Sequence, residues 1–264
     1  MFALWLSTER RLGGGRFRCS LMKLIPSLFL IGLALTTAAA DAAKPMLAIP
    51  GKVLFESPLD APLPSDWKAA KGEWKVVEGV LRGAELAADK HGAVLRLAGP
   101  VPDFVIEYEF QFAGARTTSL SINAVKDHMS RINITPKNVT IRRDDNDHEG
   151  PDKAIVFAVF AADFKPGTWH KVRMEMVGDT MVGQVDDLVA WGSDPLFATQ
   201  KAAPGLTVGG EAVLFRNLSI REATLNPEWE AVKATLPKPG EKMAPVPVGK
   251  GKGKGKGKGA KAAP

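Results

Sequence analysis

The stretch DFVIEYEFQF, residues 103–112, alternates apolar and polar side chains almost throughout. Ile106, Tyr108, Phe110 and Phe112 share one face of an extended chain, and Glu107, Glu109 and Gln111 share the other. A period of two fits a half-buried strand; a helix would repeat its apolar positions every three or four residues. WHKVRMEMV (169–177) has the same form, with Val172, Met174 and Met176 opposite Lys171, Arg173 and Glu175. Gly178-Asp179 then suits a primed two-residue hairpin turn. TMVGQV follows, and Asp186-Asp187 leads into LVAW, giving a meander. In AVLFRNLSI (212–220), strict alternation places Leu214, Leu218 and Ile220 on one side. Further strands are predicted at 52–56, 73–77, 79–82, 93–97, 117–124, 128–134, 137–142, 154–160 and 204–208. Many short strands between turn signals, without a long amphipathic helix, predict an all-β sandwich. A single short helix is predicted within 224–236, with Asn226 as N-cap and Pro227 at its first position.

The two ends are of another character. From Met22, Lys23 is a short positive region, Leu24 to Leu35 an apolar run, and Ala38-Ala39-Ala40 a small-residue cleavage site. This is the pattern of a secretory signal peptide. The run is shorter than the about 20 apolar residues a membrane span needs. Residues 1–43 are therefore expected to be a leader, with Met22 a candidate start. At the other end, Pro237, Pro239, Pro245 and Pro247 predict an extended linker, and GKGKGKGKGKG (249–259) a disordered basic tail. Of 35 basic residues, five lie in the leader and six in the tail. The body, 44–248, keeps 24 against 27 acidic ones, so the basic balance of the whole chain does not describe it. Cys19, the single cysteine, lies in the leader, which excludes disulfides and thiolate chemistry from the body. One sandwich-sized unit is left over 44–223.

The order of motifs carries a resemblance. "LFESPLDAPLPSDWKAAKGEWKVVEGVLRG" holds Trp67, Trp74 and Gly79 in a W…G-x-W-x-V-x-x-G-x-L run. The DFVIEYEFQF strand follows, then "GTWHKVRMEMVGDTMVGQVDD", then "GLTVGGEAVLFRNLSI" with its Phe215-Arg216-Asn217 triplet. Over residues 52–222 the chain resembles the 3-keto-disaccharide hydrolase domain family. The resemblance implies a concanavalin A-like jelly roll of two antiparallel sheets, in a secreted or periplasmic bacterial protein acting on the glycosidic bond of a keto-disaccharide. Hydrolytic members of that family carry Gln-x-His-Gly just before the F-R-N strand. Here Thr207-Val208-Gly209-Gly210 stands in that place. The E-x-D-x-x-E strand of laminarinase-type glycosidases, which aims an acid and a nucleophile into one cleft, does not occur.

The densest polar stretch is IRRDDNDHEGPDK (141–153). Asp145, Asp147 and Glu149 fall at the first, third and fifth positions of a D-x-[DN]-x-[DN]-G calcium loop, with Gly150 at the sixth. The twelfth position is Val156, which excludes a complete EF-hand. A shorter loop holding a divalent metal such as calcium is one reading; a solvated acidic hairpin tip is the other. His148 among these acids, and His128 beside Asp127, are candidate general bases or zinc ligands, with Asp145 and Asp147 as acid–base partners. Arg131 and Arg142 are placed to grip sugar hydroxyls. Glu107 and Glu109 line either a sugar-binding face or a solvated one. Trp191, near the end of its strand, is the best candidate to stack on a sugar ring, whereas Trp67, Trp74 and Trp169 suit a core.

The six tail lysines can neutralise phosphates or carboxylates on a polyanion, and with no interleaved aromatics they predict no specific nucleic-acid recognition. The alternative for the tail is a soluble tether. Two function classes stay open: an enzyme cleaving a keto-glycoside, and a non-catalytic module binding a glycan or a surface.

Overall fold

A computed structural model describes residues 44–145, 149–150 and 153–243. The leader, the Gly-Lys tail and the central part of the acidic stretch lie outside them. Sixteen strands run in chain order: β1 (Ala48–Glu56), β2 (Trp67–Lys71), β3 (Glu73–Val77), β4 (Val80–Ala84), β5 (Ala93–Leu97), β6 (Pro100–Val101), β7 (Phe104–Phe112), β8 (Ala115–Asn123), β9 (His128–Thr135), β10 (Asn138–Arg143), β11 (Ile155–Ala161), β12 (His170–Val177), β13 (Thr180–Val185), β14 (Leu188–Ser193), β15 (Lys201–Gly210) and β16 (Val213–Leu225). A short helix, α1 (Trp229–Lys233), follows.

The strands form two antiparallel sheets. The first has the order β14-β13-β12-β7-β16-β4-β3, with β1 also paired to β16. The second has the order β11-β10-β9-β8-β15-β5-β2, with β6 also paired to β15. Neighbours are often distant in sequence, as β7–β16 and β8–β15 are, which is the crossing of chains that makes a jelly roll. The inward face of each strand meets the other sheet. Ile106, Phe110, Val172, Met174, Phe215 and Ile220 of the first sheet join Leu120, Ile132, Ile141, Leu206 and Val208 of the second in one buried cluster. Each such side chain contributes about 1.5–3 kcal/mol through the area it removes from water.

The predicted turns form where the chemistry asked for them. Val177 pairs with Thr180 across Gly178-Asp179, and Val185 with Leu188 across Asp186-Asp187. The helix starts later than expected: Glu228, not Asn226, precedes its first residue Trp229, and Pro227 lies in the turn before it, where Asn226 Oδ1 accepts the Glu228 N–H at 3.0 Å. The helix itself is one turn and a half, because β16 continues to Leu225.

Two expectations are corrected. In β16 the buried residues are Val213, Phe215, Leu218 and Ile220, while Leu214 turns outward. A bulge between Arg216 and Ser219, with Asn217 at φ 53°, inserts one residue and exchanges the faces. The segment after Pro237 is not simply extended. Gly240 N–H donates to Phe157 O and Val159 N–H to Lys242 O, each at 2.7 Å, so residues 240–243 lie along β11, the outermost strand of the second sheet.

Candidate functional site

The acidic stretch begins at the end of β10. Asp144 has only 2 % of its surface exposed. Its Oδ1 accepts from Arg142 Nε at 2.7 Å and its Oδ2 from Arg131 Nε at 3.1 Å. Arg131 and Arg142 face each other across β9 and β10, and this shared carboxylate separates two like charges. Asp145 is half-buried and Glu149 is exposed. Asp147 and His148, on which the calcium and base assignments depend, lie outside the described residues. Among the described residues no three His, Cys, Asp or Glu side chains are grouped so as to hold a metal ion. His128 sits at the start of β9, its Nδ1 3.4 Å from Asn123 Oδ1 on β8.

Glu107, Glu109 and Trp191 belong to the other sheet, so the structure does not bring them to Arg131 and Arg142. Glu107 holds Arg173 at 2.6 Å, and Arg173 also holds Glu175 at 2.5 Å. Glu109 takes Arg216 at 2.6 Å and the Asn217 amide at 3.1 Å. The Arg216 guanidinium lies 4.1 Å from the Trp169 ring centre. This outer face is only partly wet. Glu175 is fully buried, and a second apolar cluster of Leu47, Val182 and Trp229 covers its neighbours, with Trp191 packed beside it. The Trp191 ring meets Trp229 edge-on and carries Lys233 4.8 Å above its centre. One face is thus occupied by Lys233 of α1, and the ring packs against the helix where the sequence suggested an open platform.

The outer face of the second sheet is built differently. Alternation sends Leu120, Ile132 and Val208 inward. It sends Thr117, Ser119 and Ser121 of β8, Arg131 and Asn133 of β9, and Gly205, Thr207 and Gly209 of β15 outward, in register across three strands. These are short polar residues and glycines, where a solvated face usually carries Lys and Glu. The Ser119 and Thr207 hydroxyls bond each other at 2.6 Å. At Gly209 a Cβ would come within 2.8 Å of Thr117 Cγ2, so glycine keeps the floor open.

Above this floor is a cavity of about 350 Å³, bordered by Lys90, His91, Arg116, Thr117, Arg131 and Thr207. A 3-10 turn, Ala87–Asp89, places His91 at the rim, with Lys90 left-handed at φ 49° and Asp89 Oδ2 tied to Gly72 N at 2.6 Å. His91 Nδ1 lies 2.7 Å from the Gly92 carbonyl. A carbonyl only accepts, so Nδ1 carries the hydrogen, and in the neutral ring Nε2 then carries the lone pair. Glu85 Oε2 is engaged twice, by Gly210 N at 2.6 Å and by Arg116 at 2.8 Å. Two carboxylates near this face, Glu85 and Asp144, are thus each held by donors.

Sequence reasoning reached Arg131 and Arg142 on this face but missed His91, Arg96, Thr117, Ser121 and Thr207. The available signal was the hydroxyl-bearing alternation of TTSLS (117–121), a strand whose outward side chains are short. The position expected to hold Gln-x-His falls on Thr207 and Gly209, both outward and both on the cavity floor.

The architecture is that of a concanavalin A-like jelly roll. Residues 52–221 match the 3-keto-alpha-glucoside-1,2-lyase-like domain, and the chain belongs to that family. No curated protein matches the sequence. Among solved structures, the laminarinase of Rhodothermus marinus is similar with a TM-score of 0.50 and 12% identity, over 67% of this chain and 99% of that one. A Bacillus subtilis protein with a galectin-like fold gives 0.50 and 11% identity, over 68% and 100%. The carbohydrate-binding module CBM66 of Bacillus subtilis gives 0.48 and 16%, over 60% and 96%. At these identities the likeness concerns the fold.

Proposed function

We propose that the domain binds a carbohydrate in the cavity on the outer face of the second sheet. One observation carries this: the outward positions of β8, β9 and β15 are hydroxyls, glycines and an arginine that together floor and border a 350 Å³ hollow. Hydroxyl and guanidinium groups match the donors and acceptors of a sugar ring. Family membership points to a keto-glucoside or its parent disaccharide. Export is supported by the leader pattern from Lys23 to Ala40, and no helix among the described residues is long and apolar enough to cross a membrane. The six tail lysines would add a charge-driven contact with a polyanion.

Gly209→Leu fills the hollow from its floor. In titration calorimetry with a 3-keto-disaccharide and its unoxidised parent, affinity should fall about tenfold or more, a loss of about 1.4 kcal/mol, while the melting temperature stays within a few degrees. Unchanged affinity would place the ligand elsewhere.

A second reading is favoured by His91. Elimination from a 3-keto-glycoside needs a base at the C2 proton and a cation near the ketone oxygen, not a pair of carboxylates. His91 Nε2 would take the C2 proton, the released electron pair would form the C1–C2 double bond, and the C1–O bond would break, its oxygen gaining a proton from solvent. Lys90 and Arg131 supply positive charge at the same hollow. His91→Gln should lower enone formation by about 10²–10⁴-fold with binding retained. Full turnover in that variant would exclude His91 as the base.

A further inference from the structure

Five strand pairings align one row of residues across the outer face of the second sheet. Arg142 on β10 lies opposite Arg131 on β9, and Arg131 opposite Ser121 on β8. Ser121 lies opposite Gly205 on β15, Gly205 opposite Arg96 on β5, and Arg96 opposite Lys68 on β2. The row therefore holds four cations, in a body whose overall balance is acidic. Like charges directly opposite each other destabilise a sheet, and here there are two such pairs, Arg131–Arg142 and Lys68–Arg96.

Among the described residues, one carboxylate is found against these four cations. Asp144 takes one Nε from each of Arg131 and Arg142, whose side chains keep 22% and 34% of their surface exposed. Arg96 runs across Gly205, where a Cβ would meet its Cγ at 2.8 Å and its Nη1 at 3.0 Å. Its Nη1 donates to the Ala203 carbonyl at 2.8 Å, which supplies no negative charge. Burial, and then the charge of Arg131, pull the Arg96 guanidinium below its ordinary pKa, with Asp144 opposing. Ser121 stands between Arg131 and Arg96. It has no exposed surface, and its Oγ has no hydrogen-bond partner. A buried hydroxyl flanked by guanidinium groups, which only donate, lacks an acceptor.

We propose that this row is a subsite for an acidic oligosaccharide, with a carboxylate or sulfate group between Arg96 and Arg131 accepting from both and from Ser121. The inference rests on the carbohydrate reading above and adds the charge of the ligand. Five gaps of about 4.8 Å make the row roughly 24 Å long. That length suits a chain carrying several charges better than a single sugar. The row passes beside the hollow, sharing Arg131 with it, so one ligand can engage both.

The test is calorimetry on the full chain with hexasaccharides of equal length: a neutral glucan, a polyuronate and a sulfated galactan. Acidic chains should bind at least tenfold tighter than the neutral one, and the advantage should shrink as salt rises. The tighter of the two acidic probes identifies the preferred group. Lys68→Gln with Arg96→Gln should lower affinity for the acidic chains about tenfold while leaving neutral binding and the melting temperature unchanged. Lys68→Gln alone, at an exposed position, keeps the test valid if the double variant does not fold. Replacing the six tail lysines with glutamine should preserve the acidic preference. Equal affinity for neutral and acidic chains would overturn the subsite and leave the carbohydrate reading standing. Acidic binding lost with the tail lysines, but kept in the Lys68/Arg96 variant, would assign it to the tail and overturn the subsite. Binding to none of the probes would overturn the subsite, while the carbohydrate reading is decided by the 3-keto-disaccharide titration.

Discussion

Glu175 has no exposed surface, yet it sits on the outward side of β12. Its oxygens accept from Arg173 Nε at 2.5 Å and from the Ala48 backbone N–H at 2.7 Å. Burial pulls the Arg173 guanidinium down, but Glu175 and Glu107 together outweigh it and hold the group above its ordinary pKa. The residue thus ties the first strand to the sheet beneath it. Glu175→Ala would leave Arg173 desolvated with only Glu107, at the more exposed end, to answer it. A loss of about 3–5 kcal/mol is expected for breaking such a pair, readable by urea unfolding. A loss below about 1 kcal/mol would mean that water reaches Arg173 in the native state. Alternation alone could not foresee this. The period of two correctly put Arg173 and Glu175 on the outward face, but whether that face is wet depends on what other segments fold over it.

At the scale of elements, most strands were legible, and the two that were not are β2 and the two-residue β6. β7, β12 and β13 follow from their residues, and so do the two-residue turns that join them. β2, with the sequence WKAAK, carries little β preference. It becomes a strand because Trp67 is anchored in the core and β5 offers a pairing edge. In β16 the bulge at Asn217 is a decision of one residue. The left-handed region is tolerated by asparagine and disfavoured for branched side chains. Asn217→Val should cost about 1–2 kcal/mol, whereas Asn217→Gly should be close to neutral apart from the lost contact to Glu109. Equal melting temperatures for the two variants would show that the φ of 53° is not what holds the bulge. The cavity was hidden for a related reason. Its floor is defined in part by the absent side chain at Gly209, and its border comes from residues as far apart in sequence as His91 and Thr207.

In the body as a whole, the two sheets divide the labour. The first sheet is covered outside by the segments that flank the sandwich. Leu47 and Trp229 pack over Val182, and Asn226 binds the Met46 and Leu47 carbonyls. The second sheet keeps its polar outer face for the hollow and the cationic row. The sequence resemblance led correctly to the jelly roll and the family. It could not say which sheet would carry the site, because Glu107 and Arg131 show the same alternation and only the covering of one face separates them.

The pairing of residues 240–243 with β11 has a consequence beyond the single molecule. An outermost strand with unpaired N–H and C=O groups is a template on which another copy can add. The Gly240–Phe157 and Lys242–Val159 bonds occupy that template, with a parallel bridge between Met243 and Val159. The short segment therefore acts as a stopper against open-ended growth. Deleting residues 238–243 from the full chain should produce concentration-dependent dimers and larger species in light scattering, with the outer face of the second sheet intact. A variant that stays monomeric at high concentration would show that the β11 edge protects itself.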